Sequence, residues 1–149
     1  MGRLRKFWSL TRREKTFLCE ATILLFVSNA SVKAIAFRHI DRFLRTRWND
    51  GIEGDIDREQ EIMLVKQSIS RAANLLPWKT LCLSRSIAQF IMLRRRGILA
   101  TLFVGVRFSG HSSLDAHAWV ATGPGVNDKS SVNSDFAIVR RIGTEVVDL

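Results

Sequence analysis

The chain has 149 residues, of which 46% are hydrophobic and 25% are charged, an ordinary composition for one globular domain. Its two cysteines, Cys19 and Cys82, lie too far apart in sequence for a zinc ribbon and are too few for a disulfide framework. The most apolar stretch, residues 21–27, is too short to span a bilayer, and we expect a cytoplasmic protein with a free thiol and no transmembrane segment.

Positive charge is concentrated in the first third of the chain. Residues 1–48 contain 11 Lys or Arg residues and three acids, a net charge of +8, whereas the remaining residues have a net charge of +1. A solvated basic face is the simplest explanation, and docking to an acidic partner is the main alternative. Such a surface would include Arg38, Arg42 and Arg45. Nucleic-acid binding is disfavoured, because this region lacks interleaved surface aromatics and a known motif.

Three helices are predicted before the midpoint of the chain. The capping-box pattern from Thr11 to Glu14 begins the first, whose apolar repeat should end near residues 28–29. A second apolar stripe over residues 32–44 predicts the next helix, and a polar, glycine-bearing loop follows it. The third helix should begin near Asp57 and end before Pro77, because proline cannot continue a helix.

The sequence period changes from that of a helix to that of a strand after a fourth helix. That helix should run from Cys82 to Arg96, with Gly97 just beyond it, where a left-handed residue commonly ends a helix. Alternating apolar residues then predict strands at residues 99–106, 116–122, 136–140 and 145–147. Helices followed by antiparallel strands predict an α+β fold in a single domain, with a basic helical part (residues 1–76) and a core that carries the chemistry (residues 77–149).

Three residues of this core have the surroundings that a cysteine-nucleophile triad needs. Cys82 opens a helix, His117 lies in a strand, and Asp128 follows a glycine-containing turn. A thiol is only partly ionised at neutral pH, so a helix dipole and a neighbouring imidazole would both favour the reactive thiolate. We therefore predict Cys82 as the nucleophile, His117 as the general base and acid, and Asp128 as the carboxylate that orients the imidazole. Backbone N–H groups at the helix start would stabilise an oxyanion.

Each of these residues also has an ordinary structural interpretation. A lone buried cysteine is often inert, a histidine beside Trp119 is often structural, and Asp128 lies in a sequence typical of turns. Asn127 and Asp115 remain alternatives for the orienting role.

The other chemically active side chains are assigned less specific roles. Cys19 is interpreted as a packing residue of the first helix, and His111 as an exposed loop residue near the cleft. Metal binding through Cys82, His111 and His117 is disfavoured, because they lie on separate elements without ligand-pair spacing. We expect no metal and no cofactor.

Ordered sequence blocks between Leu76 and Lys129 resemble the transglutaminase-like cysteine proteases of lasso-peptide biosynthesis, the B2 (or B) leader peptidases. The blocks are Pro77-Trp78, Cys82-Leu83-Ser84-Arg85-Ser86, Leu93-Arg94-Arg95-Arg96-Gly97, Leu102-Phe103-Val104-Gly105-Val106-Arg107, Ala116-His117-Ala118-Trp119-Val120 and Val126-Asn127-Asp128. One departure is Ala121, where the family often carries a glutamate.

This resemblance implies a papain- or transglutaminase-like core in which the nucleophile's helix packs on an antiparallel sheet. It implies an antibiotic-biosynthesis enzyme that removes the leader from a ribosomally made precursor through a Cys-His-Asp triad and a thioester intermediate. The implied partners are the precursor peptide, a separate leader-recognition protein and an ATP-dependent lasso cyclase. A transglutaminase-type acyltransferase and a non-catalytic precursor-binding protein are the alternatives.

Overall fold

The computed structural model describes residue 5 and residues 8–48, 58–110, 113–122 and 135–143. Its helices are α1 (Arg12–Ala34), α2 (Phe37–Trp48), α3 (Glu59–Leu75) and α4 (Cys82–Arg95), and its strands are β1 (Ala100–Ser109), β2 (Ser113–Thr122) and β3 (Ala137–Ile142). The strands form an antiparallel sheet in the order β2-β1-β3. The predicted α+β fold is therefore confirmed.

The first helix begins as predicted and ends later. Its capping box is formed, because the Glu14 side chain accepts from the Thr11 backbone N–H at 2.8 Å and the Thr11 hydroxyl accepts from the Glu14 N–H at 3.3 Å. The predicted end near residues 28–29 is wrong: Asn29 is buried inside α1 and accepts a hydrogen bond from Ser84 at 3.4 Å. Tertiary packing has overridden a local turn signal, and α2 begins at Phe37 instead of residue 32.

The later elements match the sequence pattern closely. Helix α4 ends just before Gly97, which has a φ of +71° and donates to the Arg94 carbonyl at 3.1 Å. The three described strands correspond to the first three predicted ones. The fourth predicted strand, residues 145–147, lies outside the described residues.

One hydrophobic core includes side chains from helices and sheet alike. Helix α4 contacts α1 and α3 as well as β1 and β2. Contributors from the four helices, β1 and β3, each no more than 1% exposed, are Leu25, Leu44, Val65, Phe90, Leu102 and Ile142, and Val120 of β2 packs against them. Because α4 is surrounded in this way, the position and direction of its first residue are fixed by the whole fold.

Helix α1 combines a buried face with an exposed apolar one. By length and composition alone it could cross a membrane, a test that core helices also pass. Its residues Phe17, Ala21 and Leu25 lie in the hydrophobic core. Cys19 is exposed, so its interpretation as a packing residue is wrong. The expectation of no transmembrane segment stays a prediction.

A buried carboxylate joins α2 to β3. Asp41 accepts hydrogen bonds from Arg140 at 2.7 Å and from Arg45 at 3.1 Å, and Arg45 also donates to the Arg141 carbonyl at 2.7 Å. Burial raises the pKa of the Asp41 carboxyl, but the hydrogen bonds and positive charges of the two arginines outweigh it, so this pKa lies below its usual range. Arg45 therefore supports the fold, which corrects its grouping with the exposed Arg38 and Arg42 as a docking residue.

We expect Asp41→Asn to lower the free energy of unfolding by roughly 1–3 kcal/mol at pH 7, because it removes a charge that two arginines require. The pKa of this carboxyl is lower in the folded state than in the unfolded state, where it is about 4. The ionised carboxylate therefore stabilises the fold above about pH 4, and this contribution is lost as the pH falls through the folded-state pKa. Urea denaturation should therefore show the difference from the wild type shrinking between pH 7 and pH ~3.

The matched control is Asp115→Asn, which breaks an exposed pair with Arg107 at 3.7 Å. It should cost less than about 1 kcal/mol at either pH. A difference for Asp41→Asn that does not change with pH would contradict this account.

Candidate active site

The candidate nucleophile is the first residue of α4. Leu81 precedes it in an extended conformation (φ −72°, ψ 148°), and Cys82 is exposed. The segment before the helix is held by Arg85, which donates to the Thr80 hydroxyl at 2.8 Å through its side chain and to the Leu81 carbonyl at 3.1 Å through its N–H. The thiol therefore lies at a fixed helix N-terminus that solvent and substrate can reach.

The first turn of α4 lacks the usual N-terminal polar residues. Leu81 occupies the N-cap position, and no side-chain hydrogen bond caps the helix among the described residues. The first turn of α4 contains no acidic residue. Most helices place Ser, Thr, Asp or Asn at this position to satisfy the first N–H groups. Here those donors remain available to an anion, which is the requirement for an oxyanion hole beside the thiol.

One hydrogen bond joins the nucleophile's helix to the histidine's strand. The hydroxyl of Ser86, one helical turn after Cys82, is buried and donates to the carbonyl of Ala118 at 2.9 Å. His117 immediately precedes Ala118 on β2. The second turn of α4 and the middle of β2 are therefore in direct contact.

The imidazole of His117 lies in a layer of aromatic rings. Strand register pairs His117 with Gly105 and Trp119 with Phe103, so these positions share one sheet face. Leu102 and Val120 share the opposite face, which packs against the helical core. The His117 ring stacks with Trp119 at 5.9 Å between centroids and lies 5.4 Å from the ring of Phe136.

The elements that carry the two candidate residues are in contact, but His117 lies on the sheet face opposite the one that packs against the helical core. Among the described residues, no hydrogen bond links Cys82 to His117. Catalytic contacts are often long before substrate binds. The predicted Asp128, its alternative Asn127 and His111 lie outside the described residues. Asp115, the other alternative, is exposed and pairs with Arg107.

The described residues show no cluster of three or more His, Cys, Asp or Glu side chains that could hold a metal ion. The prediction that no metal or cofactor takes part stays a prediction.

Two residues that shape the surroundings of His117 were not assigned a role from the sequence. A Cβ atom on Gly105 would lie 3.0 Å from the Cβ atom of Phe136 and from the ring of Trp119, so a larger residue opposite His117 would force these two side chains to shift. Phe136 in turn packs beneath the guanidinium of Arg107, 4.7 Å from its ring centroid. Gly105 belongs to an alternating apolar strand, where a glycine signals a close approach. Phe136 carried no such signal.

Comparison with known families identifies the superfamily of the chain. The sequence model of the transglutaminase-like superfamily matches residues 24–141, well over half of the chain. The chain belongs to the transglutaminase-like superfamily, which includes cysteine peptidases and acyltransferases and consists generally of cysteine-protease-like enzymes. No curated protein and no solved structure matches the chain.

We expect Ser86→Ala to slow acylation of Cys82 roughly tenfold, because losing the bond to Ala118 loosens the spacing between α4 and β2. The control is Ser84→Ala, which removes a buried hydroxyl from the same helix but one that bonds to Asn29 on α1. Both should cost about 1 kcal/mol of stability. The measurement is nitrophenol release from p-nitrophenyl acetate in a Cys19→Ala background. Equal rates for the two serine variants would contradict the positioning role of Ser86.

Leu81→Asn should separate stability from reactivity. Compared with Leu81→Ala, an asparagine cap should raise the free energy of unfolding by about 0.5–2 kcal/mol. It should also slow acylation by roughly tenfold or more, because its side chain accepts from the N–H groups that would otherwise hold the oxyanion. If the asparagine variant is acylated as fast as the alanine variant, the first turn of α4 does not form the oxyanion hole.

Proposed function

We propose that this protein is a cysteine peptidase that removes the leader from a ribosomally synthesised lasso-peptide precursor. The observation that carries the proposal is the position of Cys82, an exposed thiol at the N-terminus of a largely buried helix that has no side-chain cap. The transglutaminase-like family supports a thiol nucleophile, and the ordered sequence blocks around Cys82 and His117 support the narrower activity.

The proposed reaction proceeds through a thioester. The Cys82 thiolate attacks the scissile carbonyl carbon, and the resulting oxyanion accepts hydrogen bonds from the first N–H groups of α4. His117 gives a proton to the leaving amine as the C–N bond breaks. It then accepts a proton from the water that attacks the thioester, so that the leader leaves as a free acid and the thiol is restored.

The same proposal includes the partners of a leader peptidase. The substrate is a precursor made of leader and core, a separate protein presents the leader, and an ATP-dependent cyclase receives the core. The reaction would occur in the cytoplasm, where a free thiol is kept reduced.

Acyl transfer to an amine is the second candidate, because the superfamily includes acyltransferases and the thioester is common to both reactions. The product masses distinguish the two. Hydrolysis yields two peptides whose masses sum to the precursor plus one water, whereas transamidation yields a new amide and releases the original amine.

Substituting Cys82→Ala should abolish cleavage of a precursor peptide that is encoded next to the gene of this protein. Mass spectrometry of the reaction products measures the cleavage. The fold of the variant should remain, because the side chain is exposed and alanine favours a helix. The matched control is Cys19→Ala, which also removes an exposed thiol and should retain nearly full activity. Cleavage by the Cys82 variant would end the cysteine-peptidase proposal.

The orienting carboxylate is tested by a pair of isosteric changes. Asp128→Asn should lower kcat by more than about tenfold while leaving His117→Ala the more damaging variant, because a misoriented imidazole still transfers some protons. Asp115→Asn should lower it less than about twofold, because Asp115 is engaged with Arg107 at the surface. If Asp115→Asn proves the more harmful of the two, the orienter is Asp115.

A further inference from the structure

The outer edge of β2 carries backbone groups that no described residue satisfies. β2 lies at one end of the sheet order, so one of its edges faces β1 and the other faces outward. Successive residues of an antiparallel strand turn their N–H and C=O groups to opposite edges. The Ala118 carbonyl faces outward, because it accepts a hydrogen bond from Ser86 of α4. The backbone groups of Ala116 and Leu114 therefore face outward too, and we call them the β2 edge.

A hydrogen bond on the far side of the sheet leads to the same assignment. The Arg141 carbonyl of β3 accepts from Arg45 of α2, so it faces away from β1. Phe103, which is paired with Arg141, must then direct its backbone groups toward β2. Its partner on that side, Trp119, directs its own groups toward β1, and the neighbouring Ala118 faces outward.

The β2 edge is open, whereas most sheet edges are protected. Among the described residues, no backbone hydrogen bond outside the sheet involves Leu114 or Ala116. Proteins usually blunt an exposed edge with lysine, proline or a bulge, because it would otherwise pair with another chain. Here Leu114 is apolar and 56% exposed, Ala116 is exposed, and the pairing of β2 with β1 has no register shift. Alternating donors and acceptors at this spacing match an extended peptide backbone.

Helix α4 runs alongside β2. It ends at Arg95, shortly before β1 begins at Ala100, the partner of Thr122. Nine residues before Arg95, Ser86 contacts Ala118, which is four residues before Thr122. Nine helical residues and four strand residues both span about 13 Å. The N-terminus of α4 therefore points toward the start of β2.

This direction brings Cys82 to the β2 edge. Cys82 is one helical turn before Ser86 and lies on the same side of α4. The turn adds about 6 Å, which is about two strand residues, so the start of α4 is about level with Ala116. His117 projects from the opposite face of the sheet. A strand added at the β2 edge lies in the plane of the sheet, between the layer of Cys82 and the face of His117.

We propose that the substrate binds as an added strand along the β2 edge, through its segment on the N-terminal side of the scissile bond. The backbone of this segment exchanges hydrogen bonds with Leu114 and Ala116, and the scissile carbonyl meets Cys82. We assign this half of the substrate because it stays attached to Cys82 in the thioester after the amine half has left. The inference rests on the proposed thiol nucleophile and adds how that nucleophile selects an extended peptide.

A second copy of this chain is the other strand that could add to the β2 edge. Two copies would pair only over the few residues before Ala118, where α4 meets the strand, and each chain carries a net charge of +9. A short two-stranded pairing is marginal by itself. Sedimentation velocity should therefore show a monomer. A dimer that Ala116→Pro converts to a monomer would overturn the proposal.

The first experiment follows alkylation of Cys82 by acetylated oligoalanine chloromethyl ketones of one to four residues. The thiolate sulfur bonds to the methylene carbon and chloride leaves, so the peptide occupies the N-terminal side of the site. Cys19, which is also exposed, reports the intrinsic reactivity of each reagent. Mass spectrometry should show the rate ratio of Cys82 to Cys19 rising at least about tenfold from one residue to four, because the longer backbone makes more hydrogen bonds.

A rate ratio that does not depend on peptide length would overturn the proposal. The proposed peptidase activity has its own test in the cleavage of the precursor peptide, which this reagent does not require. An enzyme that cleaves the precursor but shows no length dependence here would keep its function and lose this mode of binding.

Methylation of the peptide backbone tests the individual hydrogen bonds. One N-methyl group is placed on each amide of the four-residue reagent in turn. On alternate residues, whose N–H groups face β2, the methyl group should slow alkylation of Cys82 at least about tenfold. On the residues between them it should slow the reaction less than about twofold. Equal effects at every position would contradict strand addition.

A proline in β2 tests the edge from the side of the protein. Ala116→Pro removes an outward N–H and leaves the pairing with β1, because proline is tolerated on an edge strand where its nitrogen donates nothing to the sheet. It should abolish the length dependence, whereas the control Ala116→Ser keeps the N–H and should preserve it. Leu114→Pro repeats the test if Ala116→Pro is not folded by circular dichroism. Length dependence that survives in the folded proline variant would overturn the proposal.

Discussion

The burial of α4 is the constraint on which the rest of the structure depends. Of its side chains, Phe90, Met92 and Leu93 are completely buried, and α1, α3, β1 and β2 all contact it. A buried helix cannot shift without opening cavities on several sides, and such cavities cost a few kcal/mol each. Its N-terminus is therefore held as firmly as the core. Cys82, the first residue of the helix, is exposed at this fixed end.

The two faces of the sheet have different surroundings. One face, with Leu102 and Val120, completes the helical core, and the other holds an aromatic layer around His117. Aromatic rings restrict the imidazole by shape and leave its nitrogens without a described hydrogen-bond partner. An orienting hydrogen bond to the imidazole would have to come from a polar group beyond this layer, which is the role that we propose for Asp128.

Local signals predicted the fold well where sequence and tertiary structure agree. The capping box at Thr11, the left-handed Gly97 and the change of period before β1 each specify the backbone directly. Prediction failed at residues 28–29, where a turn-forming pair is buried within α1 and Asn29 accepts a hydrogen bond from Ser84. It also failed for Arg45 and Cys19, because a helical stripe alone does not reveal which polar residue meets a carboxylate or which apolar one faces outward.

The candidate site shows the same division between local and long-range information. Cys82 could be placed at a helix start because the residues next to it in sequence determine where a helix begins. The hydrogen bond from Ser86 to Ala118 could not be predicted in this way, because it joins positions 32 residues apart. The contribution of Phe136 likewise depends on the register of β3 beside β1, which spacing within one strand does not encode.

The central claim, that the fold activates Cys82 through His117, is tested most directly by alkylation. The two exposed cysteines serve as test and internal reference, because both are open to a small reagent. With limiting iodoacetamide at pH ~6.5, mass spectrometry should show Cys82 reacting at least about tenfold faster than Cys19, and His117→Ala should remove most of that difference. Equal rates for the two cysteines, or a Cys82 rate unaffected by His117→Ala, would contradict the account.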